Sequence, residues 1–224
     1  MTFSLLAKCS KTGMFGAVIT TSSIAVGARC PYVRAKTGAV SSQNITDPRL
    51  GPRLLDALDQ HQSAQKALDE VLTDTPNLDY RQLLLIDRQG DTAHFSGANI
   101  LGIHHVYAQK NAIAAGNLLK HKDVPEAMVE RFCNLSDLAL PERLILSIQS
   151  GLDCGGEMGP LHSSALLIAD QDDFELVNLR VDWHDRPLTE LARLWELYAP
   201  QMQDYRNRAL NPQIAPSYGV PGDT

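Results

Sequence analysis

The chain has 224 residues, of which 44% are hydrophobic and 21% are charged, a balance typical of a globular protein with one substantial core. The formal net charge of -6 argues against a general binding surface for nucleic acid or anionic membranes, and no apolar run is long enough to span a bilayer. We therefore expect no nucleic-acid partner and no membrane partner.

Four cysteines are scattered through the sequence without a Cys-x-x-Cys pair, at Cys9, Cys30, Cys133 and Cys154. Such spacing favours reduced thiols over a disulfide framework or a zinc site. The N-terminus also lacks the charged start, long apolar region and cleavage site of a secretory signal. We expect a cytoplasmic protein that uses no cofactor.

The first two residues, Met1 and Thr2, precede an apolar run at residues 3–8. A small residue such as threonine favours removal of the initiator methionine, and removal would leave Thr2 at the N-terminus. Its hydroxyl would then be a nucleophile, and its α-amine a base with an unperturbed pKa of about 8. Many proteins begin with Met-Thr and have no such chemistry, so the rest of the chain must decide.

Two strands, at residues 3–8 and 15–20, are predicted to form a hairpin, because a polar turn with a glycine separates the two apolar runs. Residues 20–23 place four hydroxyls where the second strand ends, either to bond nearby backbone or to face a site at residue 2. Small residues at 38–42 then allow the backbone to approach either a ligand or another strand closely.

An antiparallel pair of helices is predicted next, because Pro52 suits the first turn of a helix and Ser63 suits the N-cap of a second one. The following segments predict four strands, at residues 82–86, 92–96, 103–107 and 111–115.

Asp123 and Pro141 are predicted to begin two further helices, the second of which ends at a pair of glycines. The loop at residues 155–162 contains three glycines, a carboxylate and a histidine. The last elements are strands at residues 164–169 and 174–181 and a helix that begins at residue 187.

Blocks of paired strands and paired helices predict an α+β fold rather than alternating βαβ units. Nearly continuous apolar strands, such as residues 83–86 and 165–168, indicate sheets that are covered on both faces. Two stacked, mainly antiparallel sheets between two helical layers would satisfy this. We predict one four-layer αββα domain over residues 1–200 and an extended tail, rich in proline and glycine, over residues 201–224.

Short motifs occur in a consistent order from Thr2 to about Tyr198: residues 2–5, 25–31, 38–43, 51–53, 116–117 and 179–182. Their number and order resemble a family known as domain of unknown function 1028, which is placed in the N-terminal-nucleophile (Ntn) hydrolase superfamily. The resemblance implies the αββα sandwich. It also implies cleavage of an amide bond by an N-terminal threonine, serine or cysteine.

Carried over by position, the resemblance implies that Thr2 is the nucleophile once Met1 is removed. Ser22 and Ser23 lie where the second strand ends near the nucleophile, although many members have a basic residue in place of Ser23. Backbone amides near Gly38, together with the side chain of Asn117, are expected to stabilise the oxyanion.

Four residues are expected to contact the substrate. Three of them depart from the family pattern, since Lys36 stands where glycine is usual, Glu157 where aspartate is more common and His162 where glutamine is. Gln43 is the fourth.

Three functions stay open on the sequence. The first is an amidohydrolase that cleaves a small-molecule amide, and the second is a ligand-binding or regulatory protein that keeps the scaffold without turnover. The third is a metal-dependent hydrolase that uses Asp182 and His184, which share a strand face. The tail and the habits of the superfamily also lead us to expect a homo-oligomer, specifically a dimer.

Overall fold

Two antiparallel sheets are stacked face to face in the structure, a computed structural model that describes residues 1–61 and 63–220. The six-stranded sheet has the order β10-β9-β2-β1-β8-β7. Its strands are β1 Thr2–Lys8, β2 Phe15–Thr21, β7 His105–Gln109, β8 Ala112–Asn117, β9 Ser163–Ala169 and β10 Glu175–Val181.

The second sheet has four strands in the order β3-β4-β5-β6. They are β3 Pro31–Arg34, β4 Gly38–Asn44, β5 Arg81–Asp87 and β6 Thr92–Ser96. Helices cover the outer face of each sheet, α1 and α2 on the four-stranded sheet and α3, α4 and α5 on the six-stranded sheet. The α-helices of the described residues are α1 Leu50–His61, α2 Ala64–Thr73, α3 Val124–Asn134, α4 Leu140–Asp153, α5 Pro187–Tyr198 and α6 Met202–Leu210.

The alternation of side chains along each strand explains why the central strands are apolar throughout. In β1, Phe3 and Leu5 pack against the helices, whereas Leu6 packs between the two sheets. In β5, Leu83 and Leu85 likewise face the helices and Leu84 faces the other sheet. The predicted α+β fold with an αββα order of layers is therefore confirmed.

The C-terminal region differs from the prediction, because Met202–Leu210 forms a helix where an extended segment was expected from residue 201. None of its residues is buried, so the sequence has no apolar stripe there that would predict a helix. Side chains anchor it instead: Tyr205 stacks on Tyr198 with ring centroids 5.7 Å apart, and Arg206 pairs with Asp172 at 2.5 Å. Residues 221–224 of the predicted tail lie outside the described residues.

Candidate functional site

The faces that meet between the two sheets change from apolar to polar toward one end. In β1, Leu6 lies in the apolar layer between the sheets, and Ser4 and Thr2 follow it on the same face. On the other strands, the series of residues that faces the opposite sheet also ends in a polar side chain at this end. These residues are Thr21, Gln43, Gln82, Asn117 and Ser163. We call this polar end of the sandwich, defined by those five residues and Thr2, the Thr2 end.

Thr2 lies on the central strand of its sheet, paired with Thr21 on one side and Asn117 on the other. The Thr2 hydroxyl donates a hydrogen bond of 2.6 Å to the carbonyl oxygen of Met1, and the Thr21 hydroxyl donates to the same oxygen. The two hydroxyl oxygens are 3.2 Å apart. The Met1 carbonyl therefore lies between two hydroxyls.

Below Thr2, a buried network of amide side chains connects the two sheets. Gln82 is its hub, since its Oε1 accepts hydrogen bonds from Gln43 Nε2 at 2.8 Å and from Asn117 Nδ2 at 3.1 Å. Ser4 donates to Gln43 Oε1 at 2.7 Å, which extends the network to β1. Asn117 Oδ1 is buried and has no hydrogen-bond partner among the described residues. The network fixes Asn117 beside Thr2 with one amide hydrogen and one oxygen unused.

Glu157 is a buried carboxylate near the N-terminus, with 2% of its surface exposed. Its segment is attached to the chain after β8 by a bridge to Leu119 and by hydrogen bonds on both sides of that bridge. Burial raises the pKa of Glu157 to about 7, although the Met1 ammonium and Ser22 oppose the shift. Ser22 lies near the carboxylate, but neither carboxylate oxygen has a well-formed hydrogen bond to any described residue.

The other predicted neighbours of Thr2 lie at the Thr2 end as well. Ser22 is half-buried, while Ser23 is exposed and its carbonyl accepts a hydrogen bond of 2.6 Å from Ser163. The amide of His162 donates to the Thr21 carbonyl at 2.9 Å, and its ring stacks on Trp183 with centroids 4.2 Å apart. The catalytic and substrate-binding roles expected for these residues stay predictions.

Gln43 was expected to contact substrate, but it is fully buried and hydrogen-bonded to Ser4, Ser41 and Gln82. Its position below Thr2 assigns it to the supporting network. Gln43 thus lies at the Thr2 end, but it is buried in the network below Thr2.

The structure separates Lys36 and Gly38 from Thr2, which corrects two predictions. Gly38 begins β4 and pairs with Asp87, whereas Gln43 near the other end of β4 contacts β1. Five residues of extended strand span about 17 Å, so Gly38 cannot supply an oxyanion amide to Thr2. Lys36 is exposed in the turn before Gly38 and is equally remote. Sequence order does not reveal which end of β4 adjoins Thr2, and this is why both assignments failed.

The metal-dependent alternative finds no support in the geometry. The Asp182 carboxylate pairs with Arg180 at 2.9 Å, and Nδ1 of His184 accepts a hydrogen bond of 3.0 Å from the amide of Arg186. Within residues 1–61 and 63–220, no three His, Cys, Asp or Glu side chains come close enough to hold a metal ion.

Exposed apolar side chains surround the Thr2 end. They belong to the four loops that follow β2, precede β7, precede β9 and follow β10: Ile24, Leu101, Ile103, Met158 and Trp183. The polar end between the sheets is therefore bordered by apolar side chains on the loops.

The sequence analysis included Thr21 among four hydroxyls that could face residue 2 but did not single it out, and it did not assign Gln82 or Ser4 to the site. A signal for them exists: on alternate residues of β1, β2 and β5, the apolar series ends in a polar residue at the strand terminus. Reading these series together would have required the pairing register, which the sequence does not supply.

With this geometry established, comparison with known proteins decides the family. The sequence matches the model of the Family of unknown function (DUF1028) over residues 2–191. The chain belongs to the DUF1028 family. The crystal structure of protein SPO2555 from Silicibacter pomeroyi, which is described with the DUF1028 family model, is similar with a TM-score of 0.81 and 30% sequence identity, and the match covers 88% of this chain and 89% of that chain.

Anbu (ancestral beta-subunit) from Yersinia bercovieri is similar at a TM-score of 0.41 and 10% identity, over 90% of this chain and 96% of that chain. No curated protein is similar to this sequence. Among the described helices of this DUF1028 chain, none combines the length and the apolar character that crossing a membrane requires. The comparisons thus give the family and the fold, and they leave the reaction to be argued from the Thr2 end.

Proposed function

We propose that this chain is an N-terminal-nucleophile amidohydrolase in which Thr2, freed by removal of Met1, cleaves a small-molecule amide. The observation that carries the proposal is the position of the Thr2 hydroxyl. It lies at the polar end of the inter-sheet space, 3.2 Å from the Thr21 hydroxyl and directly beside Asn117. A threonine that merely began a strand would not need a buried polar network below it.

Removal of Met1 would change the hydrogen bonding around Thr2 in a useful way. The carbonyl that both hydroxyls contact would leave, and the Thr2 nitrogen would become a primary amine. The Thr21 hydroxyl could then accept a hydrogen bond from that amine. This contact would orient the lone pair of the amine toward the Thr2 hydroxyl, as a general base requires.

The reaction then proceeds in two stages. Thr2 Oγ1 attacks the amide carbonyl carbon while the α-amine takes the hydroxyl proton, directly or through a water. The amine returns this proton to the leaving nitrogen as the C–N bond breaks, and an ester remains on Thr2. Water then attacks the ester carbon and yields the carboxylic acid and free Thr2.

Asn117 is the side chain best placed to stabilise the oxyanion of both stages. Its Nδ2 donates one hydrogen to Gln82 and keeps the second hydrogen available beside Thr2. Because the Gln82 contact fixes its orientation before the substrate binds, little reorganisation is needed during the reaction.

The deciding experiment is the intact mass of the untagged protein before and after treatment with a β-lactone, an electrophile that acylates activated hydroxyls. We expect a mass that lacks Met1 and one adduct, which peptide mapping assigns to Thr2. Thr2→Ser should keep the adduct, and Thr2→Ala should lose it.

Two results would overturn the proposal. Met1 retained with no adduct would mean that the nucleophile is never exposed, and a ligand-binding or regulatory role would then be the better account. Full amidase turnover by a Thr2→Ala protein that begins at residue 2 would show that another residue is the nucleophile.

A further inference from the structure

Met1 lies against the loop before β9, and we call the space that it fills the Met1 pocket. Near its ammonium group lies Glu157, and beside its side chain lies Gly159. A Cβ atom on Gly159 would come within 3.0 Å of Met1 Cε and 3.3 Å of Met1 Sδ. The missing side chain of Gly159 therefore makes room for the thioether.

The carboxylate in this pocket is poorly satisfied by the rest of the protein. Both oxygens of Glu157 are buried, and Ser22, which lies near them, gives neither a well-formed hydrogen bond, although such groups are rarely left unpaired in native proteins. An ionised carboxylate in such a place is stabilised by a cation that also donates hydrogen bonds. The Met1 ammonium is a group of this kind, and its charge lowers the pKa of Glu157, although neither carboxylate oxygen accepts a hydrogen bond from it in the structure.

The Met1 residue also marks where the acyl group of a substrate would lie. In the structure its carbonyl carbon is bonded to the Thr2 nitrogen, and its oxygen is 2.6 Å from Thr2 Oγ1. In an acyl-enzyme the corresponding carbonyl carbon would be bonded to Thr2 Oγ1. This oxygen is linked to the Thr2 nitrogen through only two atoms, Cα and Cβ. The two acyl groups would thus occupy nearly the same space.

From this overlap we infer that the pocket vacated by Met1 binds an α-amino acyl group, with its primary ammonium on Glu157 and an unbranched apolar side chain against Gly159. The substrate class is accordingly an amide of an amino acid with a free α-amine. This inference rests on the proposed function, because it identifies the acyl part of the amide that Thr2 would cleave.

The pocket would discriminate in two ways. A neutral acyl group would leave the buried Glu157 carboxylate unpaired, which is unfavourable for binding. A long apolar side chain that ends where Met1 Sδ and Cε lie would fill the space beside Gly159, and a short one would not reach it.

The test compares two ligands that differ only by the amine and cannot be hydrolysed, L-methioninol and 4-(methylthio)butan-1-ol. Each is titrated by calorimetry into protein that begins at Thr2, obtained by cleavage from a fusion partner. We expect L-methioninol to bind at least about tenfold more tightly, because a hydrogen bond to a charged buried partner is worth that much. Glu157→Gln should remove the difference, and Glu196→Gln, a change of an exposed residue on α5, should keep it.

A second variant tests the side-chain contact independently of Glu157. Gly159→Ala should weaken the binding of L-methioninol by about tenfold or more, since the added methyl takes the space of the thioether. The affinity for the shorter L-alaninol should stay nearly unchanged. Equal affinity for the two methionine-derived ligands, absence of binding by both, or an unchanged preference in Glu157→Gln would overturn the inference.

The outcomes separate this inference from the proposed function. A β-lactone adduct on Thr2 without a preference for the amine would leave the amidohydrolase in place and refute the α-amino acyl substrate. Selective binding of L-methioninol without any adduct would show that the pocket is right and the reaction is wrong.

Discussion

Glu157 is a residue whose ionisation should affect the stability of the whole chain. Burial raises its pKa from 4.5 to about 7, so between these values the folded state binds more protons than the unfolded state. The stability that this group contributes is therefore present below pH 4.5 and is lost as the pH rises to about 7. The ionised form is the one that the fold tolerates least.

Glu157→Gln should abolish this pH dependence, because glutamine stays neutral. In protein that retains Met1, the free energy of unfolding should fall from pH 5 to pH 8 by about 2 to 3 kcal/mol more in the wild type than in the variant. Urea unfolding at several pH values measures the difference. Glu196→Gln should follow the wild type, and parallel curves for the wild type and Glu157→Gln would contradict the prediction.

Asn117 is the residue on which oxyanion stabilisation should depend. Asn117→Ala removes an amide beside Thr2, so the rate at which a β-lactone labels Thr2 should fall by about a hundred- to a thousandfold. Mass spectrometry of protein that begins at Thr2 gives this rate. Asn178→Ala, which alters an exposed asparagine on β10, is the matched control and should label at the wild-type rate. A decrease of less than about threefold for Asn117→Ala would remove Asn117 from the mechanism.

At the scale of elements, one face of β5 contributes both to the apolar layer between the sheets and to the amide network below Thr2. Gln82 and Leu84 are two residues apart and both point between the sheets, the first into the amide network and the second into the apolar layer. Gln82→Leu would leave Gln43 and Asn117 without their acceptor and should cost about 1 to 3 kcal/mol of stability. Leu84→Ala should cost about 2 to 5 kcal/mol through the cavity that it creates.

The two variants should nevertheless differ in function. Gln82→Leu should slow β-lactone labelling of Thr2, since Asn117 would lose the contact that orients it. In Leu84→Ala, the β-lactone should label Thr2 at nearly the wild-type rate, at a temperature where both variants are folded. Equal slowing in both would mean that loss of stability, rather than loss of the network, controls the reactivity of Thr2.

The elements that sequence reasoning predicted well are those with a strong periodic or continuous apolar pattern. Strands such as β1 and β9 are buried on both faces, and their apolar runs locate them within one or two residues. The helix α6 was missed because it buries nothing, and its anchors Tyr205 and Arg206 are effective only through partners distant in sequence.

The site was predictable where it depends on local order and unpredictable where it depends on strand pairing. Thr2, Asn117 and Glu157 were predicted as site residues and lie near one another at the Thr2 end, since the chain places them at the ends of strands or in the glycine-rich loop; their roles stay predictions. Gly38 was misplaced because only the register between β4 and β5 shows that it lies opposite Asp87, away from Thr2.

At the scale of the whole molecule, the space between the sheets is polar at one end and apolar at the other. The Thr2 end is polar between the sheets, and an apolar layer with Phe15 and Ile86 fills the rest. The β3–β4 turn lies at this opposite, apolar end. Its residue Ala35 lines the same surface groove as Ala169, and Ala169 pairs with Phe15 at the start of β2.

The homodimer expected from the sequence stays a prediction, which light scattering of the full chain would check.

A pair of glycine variants tests whether these two ends are independent. A Cβ on Gly38 would lie 2.2 Å from the carbonyl oxygen of Ile86, and this backbone atom of the neighbouring strand cannot move aside easily. Gly38→Ala should therefore lower the free energy of unfolding by about 1 to 3 kcal/mol. Because about 17 Å of strand separates Gly38 from the network, the β-lactone should still label Thr2 within about twofold of the wild-type rate.

Gly159→Ala should show the opposite behaviour. In protein that begins at Thr2, the added methyl meets only the space that the Met1 side chain has left, so the free energy of unfolding should change by less than about 0.5 kcal/mol. Binding of L-methioninol should weaken all the same. If Gly38→Ala instead slowed labelling and Gly159→Ala left binding intact, the reactive end of the sandwich would have to be sought around β4 and the loops beside it.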